Sequence, residues 1–543
     1  MVTWQSIAGT APAFLSLFFD VALAAANIDT SLLGPLTAVS AKSTVCNVLD
    51  YGAVADNSTD LGAALQSAYD SCASLGNATL YVPPGEYFMN TPVSFGGSGW
   101  AFQIDGLITL DSTMVFSGNA FIINNFEDLE IFSSNNLGAI NGQGWIGRAG
   151  GAPSNTRLMR VENGSHLSIH NLILIDSPAF HLILTNVQNA EVYYITVRGP
   201  NQGGSDGIDV SCTGNCHLHD IEVSNRDECI SVKAGSNNML CEDIYCNQSG
   251  GMSIGSLVAG NTVSNITMRN IYVYQNTQML MIKTYPGGTG GQGYVKDCLF
   301  ENFWAFDTTY ALDIDQYWQN TYTAATDTGA VPLSNLIFRN WTGTVDYGAV
   351  RGMLAIKGSN VAPLQNITFD DDMVMWTVKG DRVVNICNNV YGSGGCIPEA
   401  STTGTASYSL TTSIWIEPTN FVAPASPTWG VADYGLTIPI PVYTPAVMWP
   451  VDGTAIIQVA AAAATSSQAS SSSQSISSSV TPAALSSSSG AISTISTSTS
   501  ADVIQSSSSS SVTASSSTIP SSGSAGQHLA GHRKHGHRAR CVL

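Results

Sequence analysis

The chain has 543 residues, of which only 11% are charged, and a formal net charge of −20. Such an acidic chain excludes nucleic acid as a partner, because phosphate binding needs a basic surface. An acidic polysaccharide could bind only through a few local Lys or Arg residues, and the abundance of Gly, Ser, Thr and Asn suits short strands and turns rather than long helices.

The start reads as a secretory signal over residues 1–26. APAFLSLFFDVALAAA supplies an apolar core, and Ala22-Leu23-Ala24 or Ala24-Ala25-Ala26 offers a small-residue cleavage site. No Lys or Arg precedes this run, and Asp20 interrupts it, so a buried N-terminal segment is the competing reading. Seven N-x-Ser/Thr sequons support export: Asn57, Asn77, Asn163, Asn247, Asn265, Asn340 and Asn366. No apolar stretch is long and clean enough to span a membrane. A secreted, extracellular monomer is expected.

Eleven cysteines fit an oxidising compartment. Spacing suggests the local pairs Cys46 with Cys72, Cys229 with Cys246, and Cys387 with Cys396. Cys212 and Cys216 form a further candidate pair, while Cys241, Cys298 and Cys541 are left over. Connectivity itself is not fixed by sequence. No metal-ligand spacing stands out, since CTGNC lacks a matching second half.

The catalytic domain is expected over residues 27–458. DLGAALQSAYDSC, residues 60–72, offers one amphipathic helix that would cap the open end of a solenoid. From about 160 to 375 a short pattern recurs: apolar, any, Asn or Asp, apolar, any, apolar. It appears as SIHNLILI, VYYITV, LHDIEV, CEDIYC, MRNIYV, FENFWAF, FRNWTG and FDDDMV. Taking Asn171, Tyr194, Asp220, Asp243, Asn270, Asn302, Asn340 and Asp371 as equivalent, the steps are 23, 26, 23, 27, 32, 38 and 31 residues. Runs of alternating apolar residues indicate strands, and a repeat of this length holding several strands suggests one coil of a solenoid. Asn at a fixed turn tolerates left-handed backbone, and its amide can bond to stacked equivalents. The expected fold is all-β: a right-handed parallel β-helix, a pectin-lyase-like solenoid. From 459 to 543 the chain is Ser/Thr-rich and cannot bury enough surface to fold, so it reads as an O-glycosylated tail. The tail ends in HLAGHRKHGHRARCVL, read as a solvated basic tip, with metal binding by its histidines as the alternative.

Only 39 residues are Asp or Glu, yet four fall close together: Asp206 and Asp209 in SDGIDV, and Asp227-Glu228 in SNRDECISVK. Carboxylates in strand-like sequence are costly unless they face a cleft and do chemistry. Glycoside hydrolysis uses paired carboxylates, one to protonate the leaving oxygen and one to activate water or attack carbon. Adjacent Asp227 and Glu228 cannot share a face of a regular strand, so a bend or strand end is expected there. Mutual repulsion should raise the pKa of one carboxyl and keep it protonated. A structural Asp network in turns is the competing reading, and for Asp209 it weighs as much as a direct role. No cofactor or metal is called for. Histidines 170, 181, 217 and 219 sit in strand patterns and read as packed or surface residues.

The motif order resembles glycoside hydrolase family 28, the pectin-degrading β-helix hydrolases. Within it the chain looks like the fungal rhamnogalacturonan hydrolases, of the B type with a Ser/Thr-rich C-terminal tail. The match runs from VLDYGAVADNSTD through YVPPGEY and INGQGW to the cysteine pair ending at Cys396. DYGA and PPGEY are shared by many β-helix proteins; the ordered set SDGIDV, RDEC, GGMSIGS, MIK and LDIDQYW is far more specific. Polygalacturonases of the family carry NTD, a double Asp, GHG and RIK. Here these become Gly204-Ser205-Asp206, Asp227-Glu228, Ser249-Gly250-Gly251 and Met281-Ile282-Lys283. Loss of the family histidine and arginine argues against a plain polygalacturonase.

The resemblance implies inversion, with the acid and base roughly 6.5–9.5 Å apart. It implies Asp227 as general acid, with Asp206 and Glu228 holding and deprotonating the water. Lys283 would grip a galacturonate carboxylate; Lys233 would either do so or serve as an ion-pair partner. Asp313, Asp315, Tyr317 and Trp318 complete the candidate binding set, with the two aromatics either stacking on sugar or packing in the core. The expected substrate is a pectic polysaccharide, rhamnogalacturonan, cut internally between galacturonate and rhamnose. The alternatives are exo-acting release of galacturonate, a polygalacturonase, a Ca²⁺-dependent polysaccharide lyase with an Arg base, and a non-enzymatic carbohydrate-binding solenoid.

Overall fold

A computed structural model describes residues 26–112, 118–152, 154–287, 292–319, 328–345, 353–370, 373–377, 382–397, 409–414 and 433–442. The signal-like start through residue 25, the tail with its domain boundary near 459, Cys541 and the repeat position Asp371 lie outside them.

Twenty-five strands among the described residues join one continuous sheet. Each pairs in parallel with the strand one coil away, for example Leu182–Arg198 with Ile208–Ser224, and that strand with Asn237–Asn247. The exception is Arg382–Asn388, which pairs antiparallel with Ser409–Ile414. A chain that returns to the same register on every coil is a solenoid, and its crossovers are right-handed, as expected from strand twist. The fold is a right-handed parallel β-helix.

The repeat positions explain the corners. Asn171, Tyr194, Asp220, Asp243, Asn270, Asn302 and Asn340 all adopt positive φ, between 50° and 59°. Their side chains stack along the axis: Asn270 Nδ2 donates to Asp243 at 3.2 Å, Asn302 to Asn270 at 3.0 Å and Asn340 to Asn302 at 2.6 Å. Left-handed backbone costs most residues about 1–2 kcal/mol, and Asn and Asp least. Two further ladders, not evident in the sequence pattern, join Asn186 to Asn163 in one row and Asn366 to Asn335 in another. Three sequon residues, Asn163, Asn265 and Asn366, lie in such ladders yet are exposed, as are Asn57 and Asn77. Asn247 and Asn340 are half-buried, and their amides are hydrogen-bonded.

Inside, aligned apolar positions stack coil upon coil. Val210, Val232, Ile254, Ile282, Ile314 and Ile356 form one such column, all fully buried. Each contributes about 1.5–3 kcal/mol of burial. Aromatic columns stack similarly, with Phe303 4.4 Å from Trp341 and Phe338 between Phe300 and Phe369.

The helix Leu61–Ser71 sits at the N-terminal end. Asp60 caps it by accepting from the Gly62 N–H at 3.0 Å. Leu61, Ala64, Leu65, Ala68 and Tyr69 recur at three- and four-residue spacing and are buried, covering the first coils. Disulfides join Cys46 to Cys72, Cys212 to Cys216, Cys229 to Cys246 and Cys387 to Cys396, so the candidate pair at 212 and 216 is bonded. Cys241 and Cys298 are free thiols buried in the core.

Candidate active site

On one outer face, short strands from successive coils lie side by side: Ile230–Val232, Met252–Leu257, Gln278–Thr284, Tyr310–Asp315 and Leu354–Lys357. Alternation sends one set of side chains into the core column and the other set outward. Asp227 and Glu228 precede the first of these strands, in the bend expected from two adjacent carboxylates. Cys229, bonded to Cys246, anchors that bend from below.

Main-chain bonds fix the carboxylates. Asp227's carbonyl accepts from Gly250 N at 2.6 Å and from Ser249 Oγ at 2.9 Å. Its carboxylate accepts from the backbone N–H of Glu228 at 2.9 Å and from that of Gly204. Asn225 ties the two acidic loops together, donating to the carbonyls of Ser205 at 2.7 Å and Glu228 at 2.9 Å. Asp206's carbonyl accepts from the Nδ1 of His181 at 2.9 Å, and His181 Nε2 accepts from Ser177 N at 3.2 Å. Burial holds the His181 imidazole neutral, with its pKa lowered to about 4.

The result is a cluster. Asp206, Asp227 and Glu228 each place a carboxylate oxygen within 4.8 Å of the others. Asp206 and Glu228 are buried, whereas Asp227 is half-exposed. Burial first, then the charges of Asp209 and Asp227, drive Asp206 well above the usual carboxylate range; Lys233 and Lys283 oppose this only in part.

Two lysines flank the cluster. Lys283 is ion-paired with Glu228 and lies 4.9 Å from the centre of the Trp318 ring. Lys233 lies 3.1 Å from Asp209, 3.8 Å from Asp206 and 3.1 Å from the Gly255 carbonyl. Burial disfavours its charge, but Asp209 and Asp206 outweigh that and raise its pKa. Further along, Asp315 and Asp313 lie 2.8 and 3.8 Å from Lys357.

The description "Glycosyl hydrolases family 28" matches residues 72–397. Rhamnogalacturonase A of Aspergillus niger is 41% identical over 415 residues, 76% of this chain and 90% of that protein. The chain belongs to glycosyl hydrolases family 28. Rhamnogalacturonase B of the same species is 42% identical over 443 residues, 81% of this chain and 75% of that one. Among solved structures, the endo-xylogalacturonan hydrolase from Aspergillus tubingensis shares the fold at 22% identity and a TM-score of 0.52, covering 65% of this chain and 100% of its own. The exopolygalacturonase from Thermotoga maritima shares it at 15% identity and a TM-score of 0.56, covering 70% and 97%. As a family 28 member the chain is a glycosidase, which sets aside the lyase and the non-enzymatic solenoid.

The carboxyl driven upward is Asp206, the most deeply buried of the three, which loses most hydration. The nearest oxygens of the three carboxylates lie within 4.8 Å of one another, and Asn225 stitches together the two loops that carry them. Lys283 is ion-paired with Glu228, and its side chain is only 10% exposed. Tyr317 is buried, with its hydroxyl toward the Gly358 carbonyl at 3.4 Å, so it packs in the core instead of stacking on sugar. Trp318 is half-exposed and stays on the groove side.

Sequence reasoning missed His181, Asn225 and Lys357. The first two act through backbone contacts that no motif records. Lys357 was legible: ISVK, MSIG, LMIK, LDID and LAIK are the same strand in five coils, and each ends on the outward position.

Proposed function

We propose that this glycosidase hydrolyses a pectic polysaccharide, cutting internally between galacturonate and rhamnose in rhamnogalacturonan with inversion. The observation that carries this is the Asp206–Asp227–Glu228 cluster flanked by Lys233 and Lys283 on an outer face. The carboxylates supply acid and base, and the lysines supply cations for a uronate on an otherwise acidic protein. Identity to the two Aspergillus rhamnogalacturonases supports the substrate class. Gly250 supports it too. A Cβ there would lie 2.8 Å from the carbonyl carbon of Asp227, so the polygalacturonase histidine has no room.

On the family motif, Asp227 protonates the leaving oxygen while Asp206 and Glu228 hold and deprotonate the attacking water. A second reading has its own observation: burial drives the Asp206 carboxyl well above the usual carboxylate range, while two backbone N–H groups already donate to the Asp227 carboxylate. There Asp206 is the acid, and Asp227 with Glu228 binds the water. The three titrate as a unit, so leaving-group dependence separates the readings. The acid's Asn variant keeps its rate on an oligomer with an activated aryl leaving group; a water-activating residue's variant does not.

The signal-like start and the five exposed sequons support secretion. Residues 27–458 would form the catalytic domain and 459–543 a glycosylated tail. The decisive experiment digests rhamnogalacturonan and homogalacturonan side by side, with product sizing and anomeric NMR. A rapid fall in rhamnogalacturonan chain length with inverted reducing ends is expected. Rapid cleavage of homogalacturonan alone defeats the substrate assignment, terminal monomer release defeats internal cutting, and retained configuration defeats inversion.

A further inference from the structure

The outward positions beside the core column form a row that crosses the coils. Gly255, Lys283, Asp315 and Lys357 are in direct register, and Lys233 precedes them, following Val232, which pairs with Ile254. The row therefore reads cation, no side chain, cation, anion, cation. Neighbouring coils are roughly 4.8 Å apart, so the cations recur about every 10 Å, on alternate coils. At Gly255 a side chain is barred: a Cβ would meet the Lys283 carbonyl oxygen at 2.3 Å, and φ is +114°. Lys233 and Lys357 have side chains 30% and 31% exposed, open to the groove.

We propose that this row selects a polysaccharide whose charge alternates, with Asp315 and Lys357 as specificity residues. The inference rests on the rhamnogalacturonan reading and adds to it. One pyranose advances a chain by about the height of one coil, so carboxylates on every second sugar meet Lys233 and Lys357, and the one between them reaches Lys283, which shares its charge with Glu228. The intervening neutral sugars face Gly255 and Asp315, where a hydroxyl can donate to the Asp315 carboxylate. Lys357, held by Asp315 at 2.8 Å, is an ammonium with three donors and retains others for a uronate. A homogalacturonan has a carboxylate on every sugar and sets one directly against Asp315. Selectivity thus comes from repulsion at one coil as well as attraction at its neighbours.

The test uses the full chain. Rhamnogalacturonan cleavage is measured with a homogalacturonan oligomer as competitive inhibitor, in wild type, Asp315→Asn and Lys357→Gln. Asp315→Asn should lower the inhibitor's Ki tenfold or more. Lys357→Gln should raise KM for rhamnogalacturonan severalfold with kcat little changed. In wild type, added salt should lower the inhibitor's Ki relative to KM, because it screens the Asp315 repulsion; this arm needs no variant to fold. Unchanged Ki and KM in folded variants, or a salt response of opposite sign, overturns the proposal. Failure of wild type to cut rhamnogalacturonan at all overturns the underlying reading instead.

Discussion

The same coils present ionisable residues on two faces, and they treat them oppositely. On the face away from the groove, a row in register runs Phe132, His170, Tyr193, His219, Glu242, Arg269, Glu301, Arg339. Its first half is a ring stack, with His170 4.7 Å from Tyr193 and Tyr193 5.2 Å from His219. Its second half alternates in sign, with Arg269 2.5 Å from Glu242 and Arg339 2.6 Å from Glu301. Each charge there meets its opposite one coil away. In the groove, Asp206, Asp227 and Glu228 crowd together, and burial leaves Asp206 reluctant to ionise. Charge compensated pair by pair on a solenoid is architecture; buried carboxylates crowded beyond what two lysines offset are chemistry.

The contrast breaks most visibly in the groove. Asp227→Asn should cut kcat by about 10²–10⁴-fold, the usual worth of a positioned acid or base, without changing the fold. Asp206→Asn should lower kcat similarly while stabilising the protein. Its folded pKa lies above the unfolded 3.8, so ionising it opposes folding increasingly as pH rises from 3.8 through the folded value. Melting curves should show no gain at pH 3 and a higher Tm at pH 7. Equal Tm at both pH values would show that Asp206 is no more strained than the paired carboxylates opposite.

A smaller break concerns the wall behind the acids. Gly250→Ala places its Cβ against the Asp227 carbonyl and the Glu228 nitrogen, so the bend must shift. Overpacking of this kind costs about 1–3 kcal/mol. Because the displaced atoms carry both carboxylates, kcat should fall by a larger factor than the same stability loss causes elsewhere. The control is Asn302→Ala in the corner ladder, where φ is 57° and the amide bonds to Asn270 and Asn340. Denaturant melts should show a loss of about 2–3 kcal/mol from strained backbone and lost bonds, with kcat unchanged.

Those two residues also mark what the sequence made legible. Asn302 declared itself because a left-handed corner selects Asn or Asp at nearly every coil, so the β-helix followed from repetition. The acidic doublet and Lys283 declared themselves through motif order. Protonation did not, since it depends on how deep a side chain lies and what surrounds it, as at Asp206. Tyr317 and Trp318 are adjacent, yet one is core and the other lines the groove; neighbours along a strand end point opposite ways, and the residue names do not say which.

The smallest expected effect belongs to the compensated face and is a matter of pH. Hydrogen bonding from His217, then Arg269, holds the Glu242 pKa at about 2 against burial. Its contribution is therefore complete above pH 4.5 and lost as pH falls toward 2. Burial opposes charging His219, but hydrogen bonds to Asp220 and Glu191 outweigh it and raise its pKa to about 9. Its contribution is complete below pH 6.5 and lost as pH rises through 9. Both are fully present only between about pH 4.5 and 6.5. Glu242→Gln should cost about 1 kcal/mol at pH 5.5, since part of the pair's strength is screened by solvent. At pH 2.5 the variant and wild type should melt nearly together. A deficit of the same size at both pH values would mean that Glu242 acts through packing alone, and that the charge alternation on this face adds nothing to its stability.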